Sequence, residues 1–417
     1  MDKDTIKILL AEYQHEVVDI KLIERSYEVE DALNYVFVGL RRVGKSYLMF
    51  QQIGDLLAHG HSKDEILYFN FEDDRISSLN ISDLNLIKVC YEEMYDCQPI
   101  FFLDEIQLVE HWEKFARRLA DQGYRVYITG SNAKMLSSEI ATTLGGRYMM
   151  LNIYPFSFTE HLFASGIDVG AKNVAYQQHT TINKLFESYF KFGGLPELMH
   201  VSDKRTWLSN LYQKVFFGDL VARYQIRNDF ALRVLVRKLA ESVKQPTSFN
   251  RLANIASASG RKVSTDTVID YLRYLQEAWL IFSVENFSAK LAEREANKKY
   301  YFIDNGLLHL FLLDPLTSLL ENLVAIQLRR LYGEEIYFYQ QNIEVDFYVP
   351  QAQLAIQACY SLHDVETRTR EVNALVKMAQ HVEVKKMLII TKEEETAIVQ
   401  NGCNIEVVSV AKWLVGK

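Results

Sequence analysis

Short, nearly unbroken apolar runs alternate with longer amphipathic stretches from Asn34 onward: YVFVG, ILYFNFE, IFFLDE, VYITGS and YMMLNIY. A strand covered on both faces has no wet side, so its side chains need not alternate. Five such runs, separated by stretches of helical period, predict an α/β core built on a mostly parallel sheet. Residues 1–30 read as a polar, helical lead-in.

The pattern changes after Pro155. Residues 157–240 carry helical periodicity, broken at Gly193-Gly194-Leu195-Pro196. Between 247 and 290, SFNRLANIASASG predicts a helix with a glycine stop. Ser264 is a candidate cap for TDTVIDYLRYLQEA, and LIFSVENFSAK reads as a strand and wing, which makes a small winged-helix unit. From 321 the helix ENLVAIQLRRLY precedes the strand-like runs IYFYQQ, IEVDFYV and LAIQACY, then another helix and KMLIIT. The expected division is therefore a core at 1–156, a helical region at 157–240, a winged helix at 241–300 and a second α/β unit at 301–417. A chain of 417 residues exceeds the roughly 100 to 200 of one domain, in keeping with that division.

Composition narrows the class. Hydrophobic residues at 49% and charged ones at 24% suit an ordinary globular protein. A net charge of −8 argues against a surface built throughout to neutralise nucleic-acid phosphates. The four cysteines, Cys90, Cys97, Cys359 and Cys403, lack zinc or paired redox spacing, and the chain opens without a secretion signal. No apolar stretch approaches the roughly 20 residues that cross a bilayer. A cytoplasmic location without membrane attachment is expected.

Candidate chemistry begins at Gly39-Leu40-Arg41-Arg42-Val43-Gly44-Lys45-Ser46, a full match to G-x-x-x-x-G-K-[ST]. Glycines let main-chain N–H groups close on phosphate oxygens. Lys45 would reach the β- and γ-phosphates of ATP, and the Ser46 hydroxyl would coordinate Mg²⁺. The helix that follows, with Tyr47 in its first turn, points its positive end at the anion. Arg41 and Arg42 are further cationic contacts. Roughly 60 residues on, IFFLDE ends in Asp104 and Glu105. The first carboxylate would hold Mg²⁺ and the second would orient and deprotonate the attacking water.

These motifs, with LYFNFEDDR, VYITGSNA, GGRYMMLNIYPFSFTEH, YFKFGGLPE and KKYYFIDNGLL, resemble a widespread prokaryotic group of AAA+-like ATPases. That group joins a P-loop core to a C-terminal domain of uncharacterised function, and the likeness spans nearly the whole chain. The resemblance implies that Ser131 or Asn132 senses the γ-phosphate. It also implies that Arg147 stabilises the transferring phosphoryl group, commonly across a subunit interface, so a homo-oligomer is expected. Gly194-Leu195-Pro196 is similar to an element of signal-transduction ATPases in which a proline of the helical lid packs on adenine; here that is Pro196.

The C-terminal α/β unit resembles a restriction-endonuclease-type fold, whose acid, Asp and Glu-x-Lys would fall at Glu321, Asp346 and Gln357-Ala358-Cys359. Glu is replaced by Gln and Lys by Cys, which leaves a poor metal site and no basic cation, so nuclease activity is not expected. Glu344, two residues from Asp346, shares its strand face. The expected protein is an ATPase that couples Mg-ATP binding and hydrolysis to a switch acting on an unidentified protein partner. The alternative is a nucleotide-regulated DNA-binding protein.

Overall fold

The five apolar runs form β1 (Asn34–Val38), β2 (Ile66–Asn70), β3 (Ile100–Asp104), β4 (Val126–Gly130) and β5 (Tyr148–Asn152). The computed structural model describes residues 2–17, 20–76, 79–131, 138–168, 179–258, 260 and 262–416. The chain divides into two units, Met1–Tyr154 and Pro155–Lys417. Among the described residues of the first unit the strands lie in the order β2-β3-β4-β1-β5, and every adjacent pair runs parallel. Phe37, Phe69, Phe101 and Phe102 are fully buried in it.

Helices α1 (Lys3–Glu16), α2 (Lys45–Ala58), α3 (Ile81–Met94), α4 (Trp112–Asp121) and α5 (Ser138–Leu144) connect and cover the strands. The lead-in departs from expectation. Helix α1 starts where the Asp2 carboxylate accepts from the Thr5 amide at 2.8 Å, and it stops at Glu16 rather than continuing to residue 30. Residues 20–30 form no regular element. The reason is competition for main-chain groups. The Arg25 amide is taken by the Gln51 side chain at 2.8 Å, and its carbonyl accepts from the Gln51 side chain at 3.1 Å and from the Tyr27 amide at 3.0 Å, two residues on rather than the four of a helical ladder.

In the second unit, helices occupy Phe158–Ala164, His179–Phe192, Lys204–Lys214 and Asp229–Glu241. Two more, Phe249–Ser257 and Thr265–Glu277, follow β6 (Thr247–Ser248) and precede the antiparallel pair β7 (Ile281–Asn286) and β8 (Asn297–Phe302). The helix Leu316–Tyr332 leads into β9 (Tyr337–Gln340), β10 (Glu344–Val349) and β11 (Leu354–Ala358). After the helix Val365–Met378 come β12 (Lys386–Thr391), β13 (Thr396–Gln400) and β14 (Cys403–Ser409). Among the described residues the sheet order is β13-β14-β12-β11-β10-β9-β7-β8-β6. No described helix is long and apolar enough to cross a membrane.

Candidate active site

In a parallel sheet the loops leaving the carboxyl ends of the strands form a common edge, where ligands bind. Strand β1 ends in the Gly39–Ser46 loop, β3 in Asp104 and Glu105, and β4 in Gly130 and Ser131. The loop is shaped by its glycines. A methyl on Gly39 would stand 2.2 Å from the Ile153 carbonyl oxygen, and Gly44 holds the left-handed φ of 93° that caps α2. Arg42 adopts a left-handed φ of 65° without being glycine.

Lys45 is buried, and its Nζ donates to the Gly39 and Leu40 carbonyls at 3.2 Å each. The same nitrogen lies 3.7 Å from Glu105 Oε1. Complete burial holds the ammonium below its usual pKa, opposed by Glu105 and Asp104. A cation parked on two carbonyls and a carboxylate has weak, replaceable partners; a triphosphate offers stronger ones.

Asp104 accepts from the Tyr68 hydroxyl at 2.8 Å, from the Thr129 hydroxyl and from Ser46. Burial, followed by the neighbouring Glu105 charge, raises its carboxyl above the usual range. Glu105 sits at a left-handed φ of 57°, its amide donating to Thr129 Oγ1 at 2.9 Å. That turn separates the two side chains, one toward Ser46 and the other toward Lys45. Burial alone would push Glu105 up; Lys45, Gln107, Arg41 and the Ser131 amide outweigh it and hold the carboxyl low. Its Oε2 accepts from the Ser131 amide at 3.2 Å and from the Gln107 side chain.

Ser131 Oγ is buried and has no hydrogen-bond partner among the described residues. An orphan hydroxyl beside two carboxylates and a phosphate loop fits a polar ligand at this edge. Asn132, the other candidate sensor, lies outside the described residues. Arg41 pairs with Glu72 at 2.9 Å, and Tyr47 is exposed on α2. Pro196 belongs to the second unit and opens the 3₁₀ turn Pro196–His200.

Arg147 is not brought to this edge. It precedes β5, and Asn34 pairs with Tyr148, so Arg147 stands at the amino ends of the strands. The loop lies a five-residue strand away, roughly 16 Å, and the Arg147 guanidinium bonds Asp121 instead. A role at the phosphates of its own chain does not fit this placement.

Three residues not singled out in the sequence complete the site. Thr129 links the Asp104 carboxylate to the Glu105 main-chain amide, and Tyr68 holds Asp104. Arg25 is buried, with NH1 donating to the Val43 carbonyl and NH2 to the Tyr154 carbonyl, each at 2.9 Å. It braces the loop from behind. Thr129 and Tyr68 lie inside apolar runs and Arg25 in a stretch of helical period, so the sequence offers no signal of these roles.

Residues 33–162 match the AAA domain family, and residues 183–317 match a domain of unknown function. An uncharacterized protein of Methanocaldococcus jannaschii is 33% identical over 410 residues, covering 94% of this chain and 91% of its own. An uncharacterized protein of Haemophilus influenzae is 30% identical over 391 residues, covering 91% and 93%. The chain belongs to this family of AAA-domain proteins. Among solved structures, a Walker-type ATPase of Pyrococcus abyssi covers 74% of this chain and 95% of its own at 14% identity and a TM-score of 0.41. AMPPCP-bound DnaA from Aquifex aeolicus covers 64% and 86% at 16% identity and a TM-score of 0.27. Both likenesses are too loose to carry a shared function. The AAA domain itself makes this an ATP-binding protein of the AAA ATPase class.

Beyond the AAA domain, a second polar cluster lies in the other unit, beside a cavity of about 760 Å³ lined in part by Glu321, Glu344, Asp346 and Gln357. The sequence reading leaves these carboxylates without a cation; the structure corrects that. Lys299 of β8, wholly buried, places Nζ 3.0 Å from Glu344 Oε1 and 3.4 Å from both Glu321 Oε1 and Asp346 Oδ1. Tyr301 donates to Glu321 at 2.8 Å. Gln357 accepts the Asp346 amide at 2.9 Å and donates to the Glu344 carbonyl at 3.1 Å.

Proposed function

We propose that this AAA-domain protein is a Mg-ATP-driven switch whose hydrolysis resets a helical lid and the C-terminal region, acting on a protein partner. The observation that carries the reading is the meeting of Lys45, Ser46, Asp104, Glu105 and the orphan Ser131 Oγ at one sheet edge. Amides of residues 39–46 would cradle the phosphates, while Lys45 exchanges the Gly39 and Leu40 carbonyls for phosphate oxygens. Ser46 and Asp104 offer hard oxygen donors for Mg²⁺, which when bound would neutralise phosphate charge. Glu105 would orient the water and take its proton, with Ser131 positioning the γ-phosphate. Pro196, in the lid, would pack on the adenine.

The protein-partner reading also draws on the helix Thr265–Glu277 of the proposed winged helix. Its Arg273 is paired with Asp270 at 2.9 Å and Glu277 at 3.3 Å, so this cation already has acidic partners on its own helix. Hydrolysis of phosphodiesters is not part of the proposal. The Lys299 ammonium stands where three carboxylates converge, and Gln357 uses both ends of its amide on the main chain.

Lys45→Ala tests the site. Loss of two charge-assisted contacts should weaken ATP binding by about 100-fold or more in calorimetry with Mg²⁺. Unchanged affinity would remove the loop from the nucleotide site. Arg147 is assigned a role across a subunit interface. Arg147→Ala should then slow phosphate release by a factor on the order of 10³. Mixing it with Lys45→Ala chains should restore part of the rate; no recovery on mixing would exclude the role in trans.

A further inference from the structure

Charge is unevenly spread in the second unit. Residues 204–238 hold eight lysines and arginines against two aspartates, a net charge of +6 inside a chain that totals −8. Three helical pieces carry them: Lys204–Lys214, the wide-turned π-helix Val215–Ala222 that continues it, and Asp229–Glu241. Like charges gathered on one surface repel, which costs the folded chain stability until an anion offsets them.

Helical spacing sorts the outer positions. In the helix Asp229–Glu241 the buried residues include Leu232, Leu235 and Leu239, while Phe230, Arg233 and Arg237 follow at intervals of three and four on the opposite face. Lys214 is exposed, with Phe217 three residues on, and Arg227 is exposed three residues before Phe230. Arg233 joins the helices, its guanidinium lying 4.4 Å from the centroid of the Phe216 ring and 4.8 Å from that of Phe217. Phe216 is fully buried, whereas Phe217 is 46% exposed and Phe230 55%. Two phenyl rings, which have no polar atom, therefore stand in water among cations.

Most of these cations lack a partner. Arg233 is paired with Asp229 at 3.4 Å. Among the described residues Lys214, Arg227 and Arg237 form no ion pair. The helix Thr265–Glu277 differs, because its Arg273 is already held by Asp270 and Glu277.

We propose that this face binds single-stranded nucleic acid, with Lys214, Arg227, Arg233 and Arg237 meeting phosphates while Phe217 and Phe230 stack on unpaired bases. The rings decide the partner. A duplex keeps its base faces stacked inside and offers a phenyl ring nothing. An acidic peptide would satisfy the cations and leave both rings wet. A single strand presents phosphates and bare base faces together, and every base has a face on which an aromatic ring can stack. The inference goes beyond the proposed switch and does not depend on it, since no residue of the phosphate loop takes part.

The test is fluorescence anisotropy of the full chain with a labelled oligothymidylate, without nucleotide. Affinity should fall with salt at a log–log slope of about −2 to −3, the value for three or four neutralised phosphates on a single strand. Joint reversal, Lys214→Glu with Arg237→Glu, should weaken binding by about tenfold or more. Phe217→Ala and Phe230→Ala should each weaken it by about fivefold or more, with no such loss on a duplex. All four positions are exposed, and a wild-type thermal melt shows that a variant has folded. Lys45→Ala should bind the strand as the wild type does. Loss of binding in that variant would put the strand in the nucleotide loop and overturn the inference while leaving the ATP site standing. Two results on the wild type, needing no variant, would also overturn it: absence of binding at low salt, and competition by polyglutamate as strong as that by unlabelled oligothymidylate. Folded ring variants with wild-type affinity would do the same.

Discussion

Glu105→Gln should keep ATP binding and lose turnover by about 10² to 10⁴-fold, the range for removing a positioned general base. The substitution changes little else. Gln can still accept from the Ser131 amide, which now bonds Oε2 at 3.2 Å, and the backbone bond from residue 105 to Thr129 is untouched. What disappears is the negative charge and its capacity to take a proton. In the resting site that capacity is restrained, since Lys45 and its neighbours hold the Glu105 carboxyl low. Once Lys45 turns to the phosphates in the proposed cycle, its pull on Glu105 weakens. The carboxyl then becomes a stronger base when a water is in place. The expected signature is a tight, slowly released ATP complex, with calorimetric affinity near wild type and phosphate release nearly abolished. Turnover close to the wild-type rate would remove Glu105 from the chemistry, leaving Asp104 and a water chain to account for it.

The parts of the molecule legible in the sequence are those whose residues are neighbours in the chain. The five apolar runs become five parallel strands because each is self-contained, and the loop at Gly39–Ser46 carries its meaning within eight consecutive positions. Thr129 and Tyr68 were hidden for the opposite reason. Each sits inside an apolar run and reads as core, and only the pairing of β3 with β2 and β4 brings them to Asp104. The same holds for Arg25, placed by Gln51 in what reads as helix. Strands β13 and β14 carry no continuous apolar run, because β13 buries none of its five residues and β14 mixes exposed with buried positions, as befits the antiparallel edge of the sheet. Arg147 was legible as a residue but not as a location. Which end of a strand faces the site is a property of the sheet, and a Gly-rich turn does not state it.

Lys299 was the least visible residue of all, since its partners lie 22 to 47 positions away, and its replacement should have the largest effect on stability. Lys299→Met keeps the length of the stem and removes the ammonium that three carboxylates share. Losing one partner of a buried ion cluster leaves uncompensated charge, which costs about 3 to 5 kcal/mol. The melting temperature should fall by on the order of 10 °C. The pH dependence fixes the cause. Burial already raises Glu321 to about 7, with Lys299 opposing the shift. Without the lysine the rise must grow, so the folded variant binds protons more tightly than the unfolded chain does. A carboxyl raised in the folded state favours folding when protonated, and that contribution is lost as pH climbs through the folded value. The deficit of Lys299→Met should therefore be greatest above pH 7 and shrink as the pH falls toward the ordinary glutamate range. Adding Glu321→Gln to Lys299→Met should recover part of the loss at neutral pH. A single variant that melts with the wild type across this window would show that the ammonium does not hold the carboxylates in place.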